Sequence, residues 1–465
     1  MGGLFGVFSN SDCVKDLFYG TDYHSHLGTR RGGLTVKNSD GFQRFIKDIT
    51  TTQFRSKFEV DIKKMHGNKG IGVISDYEDQ PLIINSRLGV FAIATVGRIN
   101  NLEQLAEEAL KNGSHFSEMH GGEINPTEMV ATIISQGATF EEGIQKVQNM
   151  IDGSCTMLIL TGEGIYAVRD KFGRTPLVIG EKPRSYAIAM ETCAFPNIEY
   201  KITKFLGPGE VVFISKRGIE QKIAPGNKLQ ICAFLWVYYG YPASSYEGVN
   251  VEVVRYRCGS YLAKRDNVEI DLVAGIPDSG TPHGLGYASE AKIPFSRPFV
   301  KYTPTWPRSF MPLDQSTRNL VAKMKLIPIK ELIEDKRLLF CEDSIVRGTQ
   351  LKDTIQRLYD SSAKEVHMRP ACPPLIYGCK FLNFSRFRSE LDLAGRWAVK
   401  ELLGKDIKDL AEFINPDSDK YKAMVDVIRK RLHLTTLKYQ RLEDLVKAIG
   451  LPKEKLCTYC WDGVE

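Results

Sequence analysis

The rhythm of apolar and polar positions divides this chain near residue 230. Before that point, short β-branched and aromatic runs alternate with Gly-rich turns: IGVIS (71–75), VFAIATVG (90–97), CTMLILTG (155–162), GIYAV (164–168) and EVVFIS (210–215). Such runs predict strands, and helical spacing near 102–111 and 127–136 predicts helices beside them. The expected architecture is α+β, with stacked antiparallel sheets and outer helices. After that point the apolar runs IDLVAGIP (270–277), KRLLFCED (336–343) and EVHMRPAC (365–372) alternate with helical patterns at 251–264 and 349–360. Strands apolar on both faces, separated by helices, predict an α/β domain on a parallel sheet. The stretch 385–445 is charged and mainly helical in pattern. The predicted domains are therefore 1–230 and 231–465.

Length agrees with that division, since 465 residues exceed the ~250–300 at which single cores stop growing. With 43% hydrophobic and 25% charged residues the chain reads as soluble and globular. No apolar run approaches the ~18 residues of a membrane span. The net charge of +6 is spread among acids without a basic cluster, so neither nucleic acid nor membrane is an expected partner. The opening MGGLFGVFS has no basic leader, and Gly6 stands where a myristoylation signal needs Ser or Thr. A cytoplasmic location is expected.

The most specific local feature is CEDSIVRGT at 341–349, entered from the apolar run LLF. A buried strand, two acids and a small-residue loop before a helix suit a phosphorylated sugar. Glu342 and Asp343 can hold ribose hydroxyls or Mg²⁺, while backbone N–H groups of Ser344, Ile345, Val346, Arg347, Gly348 and Thr349 cradle the 5′-phosphate. The string resembles the signature of type I phosphoribosyltransferases.

Further landmarks extend the likeness: the opening GGLFGVF, RDKFGRTPLVIG (169–180), METCAF (190–195), GPGE (207–210), CAFLWVYYG (232–240), GIPDSG (275–280), PRSF (307–310) and KMKL (323–326). In this order they resemble the glutamine phosphoribosylpyrophosphate amidotransferase family, from Gly2 to about Cys379 and again from Cys457. The resemblance implies an N-terminal nucleophile (Ntn) hydrolase-like domain followed by a type I phosphoribosyltransferase domain. It places Ser279, Glu342 and Asp343 at the Mg²⁺ site and Pro277, Asp278, Ser279 and Gly280 on the pyrophosphate loop. It places Lys301 to Phe310 on a substrate-binding loop that closes over substrate, with Arg308 and Lys325 as charge partners for the leaving pyrophosphate. The family often carries two Asp where this chain has Glu342–Asp343. It also carries an Arg within the stretch that reads Gly240-Tyr241-Pro242 here.

The glutaminase half departs from the family at each working position. The family's nucleophile is a Cys after the removed initiator Met, activated by its own α-amine, and this chain has Gly2. Cys13 has no free amine beside it and reads as a structural thiol. Ser75-Asp76 replaces an Arg-Tyr pair that clamps the glutamine carboxylate, and Val96-Gly97 replaces the Asn-Gly of the oxyanion hole. Asn125-Pro126 replaces the motif for the α-amine, and His26-Leu27-Gly28-Thr29 replaces a His-Arg-Gly-Gln turn. A folded domain without glutaminase activity is expected.

Ten cysteines in a chain of this character argue for free thiols or metal sites over disulfides. Four thiolates suit zinc or iron–sulfur equally. Within the resemblance, Cys232, Cys379, Cys457 and Cys460 align with the ligands of the [4Fe–4S] cluster of one branch of the family, with zinc as the alternative. Cys13, Cys155, Cys193, Cys258, Cys341 and Cys372 are expected in the core.

The resemblance implies a Mg²⁺-dependent amidophosphoribosyltransferase of purine biosynthesis that uses ammonia and phosphoribosyl pyrophosphate, with purine nucleotides as effectors and a homo-oligomeric state. The alternative is a non-catalytic paralogue that binds phosphoribosyl pyrophosphate or purine nucleotide. A third reading transfers phosphoribose to another amine or a base, since the loops do not name the acceptor.

Overall fold

The computed structural model describes residues 2–120, 122–302, 326–383 and 389–465. The strands expected before residue 230 form as Lys69–Ser75, Gly89–Ile99, Gly153–Leu160, Gly164–Val168 and Val211–Ser215, and the helices as Leu102–Lys111 and Pro126–Ser135. They belong to two antiparallel sheets. A seven-stranded sheet runs Lys201–Phe205, Val178–Lys182, Ser185–Ala189, Gly3–Ser9, Lys69–Ser75, Arg31–Asn38, Gly41–Asp48. A six-stranded sheet runs Gly218–Ile223, Val211–Ser215, Gly164–Val168, Gly153–Leu160, Gly89–Ile99, Leu82–Ser86.

These sheets must stack because their central strands are apolar on both faces. In Gly3–Ser9, Leu4 and Phe8 join the core between the sheets, while Phe5 and Val7 pack under Leu17 and Phe18 of the helix Val14–Asp22. In Gly89–Ile99, Ala92 and Ala94 face the inner core, and Phe91 and Ile93 pack with Met129 and Ile133 of Pro126–Ser135. Period-two alternation with both faces buried thus produces four layers, helix, sheet, sheet, helix.

The second half contains a parallel sheet in the order Leu272–Gly275, Arg337–Glu342, Glu365–Pro370, Thr436–Leu437. Its strands alternate in the same way. Leu339 and Cys341 face the helices Val251–Lys264 and Gly280–Ala291, and Leu338 and Phe340 face Thr349–Asp360, Ala394–Leu403 and Asp419–Arg431. Each fully buried Leu or Phe contributes about 1.5–3 kcal/mol.

As expected, the stretch 385–445 is mainly helical among its described residues, with helices at Ala394–Leu403, Ala411–Ile414 and Asp419–Arg431. Within it, Thr436–Leu437 pairs in parallel with His367 and Met368 and extends the sheet. Two residues are too few to carry a strand period.

The chain returns to its own midpoint at the end. Ile231–Cys232 pairs in parallel with Leu456–Cys457, so the C-terminal tail docks where the polypeptide leaves the antiparallel sheets. Arg169 is fully buried there, pairing with Glu247 at 2.8 Å and donating to the carbonyls of Gly173 and Thr175. Among the described residues no helix is long and apolar enough to cross a membrane.

Candidate functional site

Parallel register brings the loops after two adjacent strands to one edge, where α/β sheets bind ligands. Gly275 lies opposite Cys341 and Glu342 opposite Pro370, so the loop at 276–279 and the turn at 343–348 emerge side by side. Asp343 joins them. Its Oδ2 accepts from Ser279 Oγ and its Oδ1 from Ser344 Oγ at 2.6 Å, while its N–H donates to Glu342 Oε1 at 3.2 Å. Both acids are buried, and burial with the adjacent Asp343 charge pushes the Glu342 carboxyl well above its ordinary value. Two carboxyl groups and a hydroxyl are hard oxygen donors of the kind Mg²⁺ takes, although among the described residues no three Cys, His, Asp or Glu stand at ion-holding spacing.

Gly348 closes the turn at φ +79°, a left-handed conformation that favours glycine, and the helix Thr349–Asp360 begins after it. The N–H groups of that helix's first turn give the edge a positive end beside the acids. Arg347 pairs with Asp392 at 3.2 Å, and Lys301 pairs with Asp278 of the neighbouring loop. Ile345 is buried beneath the turn, and the Val346 carbonyl accepts from Ala394 N–H, so this loop is tied to the segment 389–403. Arg308 and Lys325 lie outside the described residues.

Arg255 is a participant that motif reading did not single out. It is buried, donates to the carbonyls of Trp236 (3.0 Å), Tyr238 (2.8 Å) and Gly240 (2.9 Å), and interacts electrostatically with Asp343. Its guanidinium therefore ties the loop before Tyr241 to the acidic edge. A buried Arg on an otherwise ordinary helix was the available signal.

The region around Gly2 is closely packed. A side-chain carbon at Gly2 would lie 2.7 Å from the Ile74 carbonyl oxygen and 3.1 Å from Val96 Cγ2. Asp76 accepts from Thr29 N–H at 2.6 Å and from its Oγ1 at 3.1 Å, so a carboxyl group stands in the pair Ser75-Asp76, where the resemblance calls for Arg-Tyr. Gln80 bridges the interior. Its Oε1 accepts from Thr95 N–H at 2.7 Å, and its Nε2 donates to the Thr95 carbonyl at 3.0 Å and to Glu78 Oε1 at 2.8 Å. Thr95 Oγ1 and Thr127 Oγ1 are 2.6 Å apart, and Asn125 caps its helix by accepting from Thr127 N–H at 2.9 Å.

His26 does not face this network. Its Nε2 lies 3.0 Å from Glu191 Oε1, which also accepts from Tyr246 Oη at 2.8 Å, and its ring packs on Tyr241. Burial opposes ionisation of Glu191, but hydrogen bonds headed by that from His26 hold its carboxyl below the ordinary range. His24 is fully buried; burial lowers its pKa to about 4, and its Nε2 accepts from the N–H groups of Met190 and Glu191.

Four thiols meet where the tail docks. Cys232 and Cys457 are register partners, the Cys460 carbonyl accepts from Ile376 and Tyr377 N–H, and Cys379 Sγ accepts from Leu382 N–H at 3.3 Å. The Cys379 and Cys460 thiols hydrogen-bond to each other, and Cys460 also feels Cys232 and Cys457. That hydrogen bond, opposed by burial, lowers Cys379 to about 7. Among the described residues no three Cys, His, Asp or Glu are yet at ion-holding spacing, so the metal expected from the resemblance is not shown. As donors, four convergent soft thiols fit a tetrathiolate-bound iron–sulfur cluster or zinc. The other six cysteines, Cys13, Cys155, Cys193, Cys258, Cys341 and Cys372, are all buried, and burial raises each thiol's pKa.

Comparison with known proteins agrees with this geometry. A profile of the glutamine amidotransferase domain matches residues 69–197. The amidophosphoribosyltransferase of Methanocaldococcus jannaschii is 28% identical over alignments covering 100% of this chain and 97% of the relative. That of Bacillus subtilis is 27% identical, covering 99% and 93% respectively. Among solved structures, the glutamine phosphoribosylpyrophosphate amidotransferase of B. subtilis, complexed with ADP and GMP, superposes with a TM-score of 0.84 at 25% identity, covering 99% of this chain and 96% of that one. A structure described as the allosteric regulatory enzyme of purine biosynthesis gives a TM-score of 0.83 at 26% identity, covering 99% and 95%.

Proposed function

Because this chain belongs to the amidophosphoribosyltransferase family, we propose that it is a pentosyltransferase of purine biosynthesis that displaces pyrophosphate from phosphoribosyl pyrophosphate with ammonia and has lost the glutaminase half-reaction. The observation that carries this reading is Asp343, which joins the loops of Ser279 and Ser344 at the edge of the parallel sheet. Glu342 and Asp343 hold the ribose hydroxyls or Mg²⁺, with Ser279 as the third oxygen. When bound, Mg²⁺ neutralises charge on the pyrophosphate oxygens. Pro277 to Gly280 cradle the pyrophosphate, and Ser344 to Thr349 hold the 5′-phosphate at a helix N-terminus.

In the reaction the C1–O bond breaks with its electron pair on pyrophosphate, the lone pair of ammonia forms the C1–N bond, and the product ammonium gives one proton to solvent. Lys301, Arg308 and Lys325 meet the charge that grows on the leaving group. Residues 1–230 serve as an inactive Ntn-like domain and 231–465 as the transferase with its tail. Gly2 against Ile74, the carboxyl group of Asp76 and the Gln80 network support the loss of glutamine hydrolysis. Cys232, Cys379, Cys457 and Cys460 hold a [4Fe–4S] cluster, with zinc as the alternative, and the bound group cross-links the tail to the junction. Purine nucleotides act as effectors on a homo-oligomer, in line with the ADP and GMP of the B. subtilis enzyme.

The second reading, a non-catalytic paralogue that binds the same ligands, is favoured by one feature. The stretch Gly240-Tyr241-Pro242 lacks the Arg seen in the resemblance, and nearby Arg255 is committed to backbone carbonyls. Anaerobic protein incubated with phosphoribosyl pyrophosphate, Mg²⁺ and either ammonium or glutamine separates the two. Pyrophosphate release with ammonium alone is expected; release with neither selects the paralogue.

A further inference from the structure

Arg174 is a buried cation with no direct ion pair among the described residues. Its side chain is almost wholly enclosed, and the one carboxylate it is seen to act on, Glu465, it reaches through space without a contact. Gln230 Oε1 accepts from its Nη2 at 3.3 Å, while Nε and Nη1 have no partner. The guanidinium carbon lies 3.3 Å from the centre of the Phe381 ring, and Phe172 lies on its other flank at 5.4 Å. Against it stands the Cys457 thiol. A buried unpaired charge costs several kcal/mol, so folded proteins place an anion beside it. The group beside this one is the set of four converging cysteines, which is neutral as free thiols and anionic as metal-bound thiolates.

We propose that Arg174 is the counter-charge of the tetrathiolate centre held by Cys232, Cys379, Cys457 and Cys460, a positioning residue that stabilises its more negative states. This inference rests on the metal centre proposed above and adds a role for a residue that does not ligate the metal. Enclosure by two aromatic rings keeps water from screening the charge, so its effect on the centre exceeds that of a surface cation. Arg98 supplies the internal control: it is exposed and donates to the Cys379 carbonyl at 2.7 Å, so solvent screens its charge.

The full chain, purified anaerobically, is compared as wild type, Arg174→Gln, Arg174→Lys and Arg98→Gln, by iron and zinc content and by a redox titration followed by electron paramagnetic resonance. Loss of the buried charge destabilises the reduced centre about tenfold, which lowers the midpoint potential by ~59 mV for one electron. Arg174→Gln shows that fall, Arg174→Lys restores most of it, and Arg98→Gln shifts far less. If the centre holds zinc, the same order appears as about tenfold faster release to a chelator from Arg174→Gln. Should Arg174→Gln not fold, Arg174→Met removes the charge instead: a fall in Arg174→Met with Arg174→Lys near wild type supports the counter-charge, and both near wild type overturn it. Wild-type protein with metal and an Arg174→Gln centre of unchanged potential and release rate would overturn the counter-charge while leaving the centre standing. Absence of any metal from wild type would overturn both.

Discussion

Restoring a cysteine at position 2 will not restore glutamine hydrolysis, and the structure says how badly it should fail. The new Cβ would begin 2.7 Å from the Ile74 carbonyl oxygen, and an ordinary contact near 3.4 Å requires the strand Lys69–Ser75 or the N-terminal strand to move by about 0.7 Å. Both strands are central in the seven-stranded sheet, so the shift is resisted by ladders on each side. Overpacking of this kind costs about 1–3 kcal/mol, which corresponds to a fall in Tm of roughly 2–12 °C for a domain of this size. A thiol placed there would still lack the oxyanion side chain at Val96, whose loss alone typically costs ~10²–10³ in rate. The chain also carries Asp76, held by Thr29, in the pair where the resemblance calls for a cation to meet the substrate carboxylate. The assay is release of labelled glutamate from labelled glutamine by wild type and by Gly2→Cys, beside a buffer control and thermal melts. Neither protein should exceed the control, and the variant should melt lower. Steady glutamate production from Gly2→Cys, abolished by a thiol alkylator, would refute the argument that the pocket itself has been dismantled.

Asp343→Asn and Ser279→Ala should each weaken Mg²⁺-dependent binding of phosphoribosyl pyrophosphate by about 1.5–3 kcal/mol, or roughly 10–150-fold, as read by calorimetry; unchanged affinity in both moves the site elsewhere. Asp266→Asn should destabilise the fold by about 3–5 kcal/mol, because buried Arg369 then loses its carboxylate. Although burial opposes it, the hydrogen bond and charge of Arg369 hold Asp266 well below the usual carboxylate range, so its contribution is present above about pH 4 and lost as pH falls through the folded-state value. The acid limb of a chemical denaturation series should flatten in the variant. Burial lowers His24 to about 4 and His283 to about 3, so both favour the fold fully above the ordinary histidine value and progressively less as pH falls below about 6.5; a Tm that stays flat from pH 7 to 5 would contradict this. Wild-type protein should be brown with about four irons per chain, and Cys457→Ser should bleach it and open the chain beyond Cys379 to protease; a bleached variant with an unchanged digest would show that the centre does not hold the tail.

The strands at 71–75, 90–97 and 164–168 were legible because a period of two, bounded by glycine, is a local property of the chain. The identities of Gly2, Asp76 and Val96 likewise argued against glutamine hydrolysis before any coordinate was known. The acids of CEDSIVRGT were equally legible, since their type and order suit a ribose phosphate wherever the loop folds. What sequence could not supply was proximity. The two-residue strand at Thr436–Leu437 exists only because the neighbouring strand leaves an edge to pair with. Gln80 reaches Thr95 inside the N-terminal domain through contacts fifteen positions away, and no local pattern predicts which amide will reach inward. Ser279 and Asp343 meet across 64 positions because parallel register, a product of packing, sets two loops side by side. Arg174, in an unremarked position of a family-like run, became informative only when burial removed its solvent and left two nitrogens without partners. Residue chemistry is written locally, whereas desolvation and the choice of partner arise from the whole packed chain, and those two terms decide what each charge in this protein does.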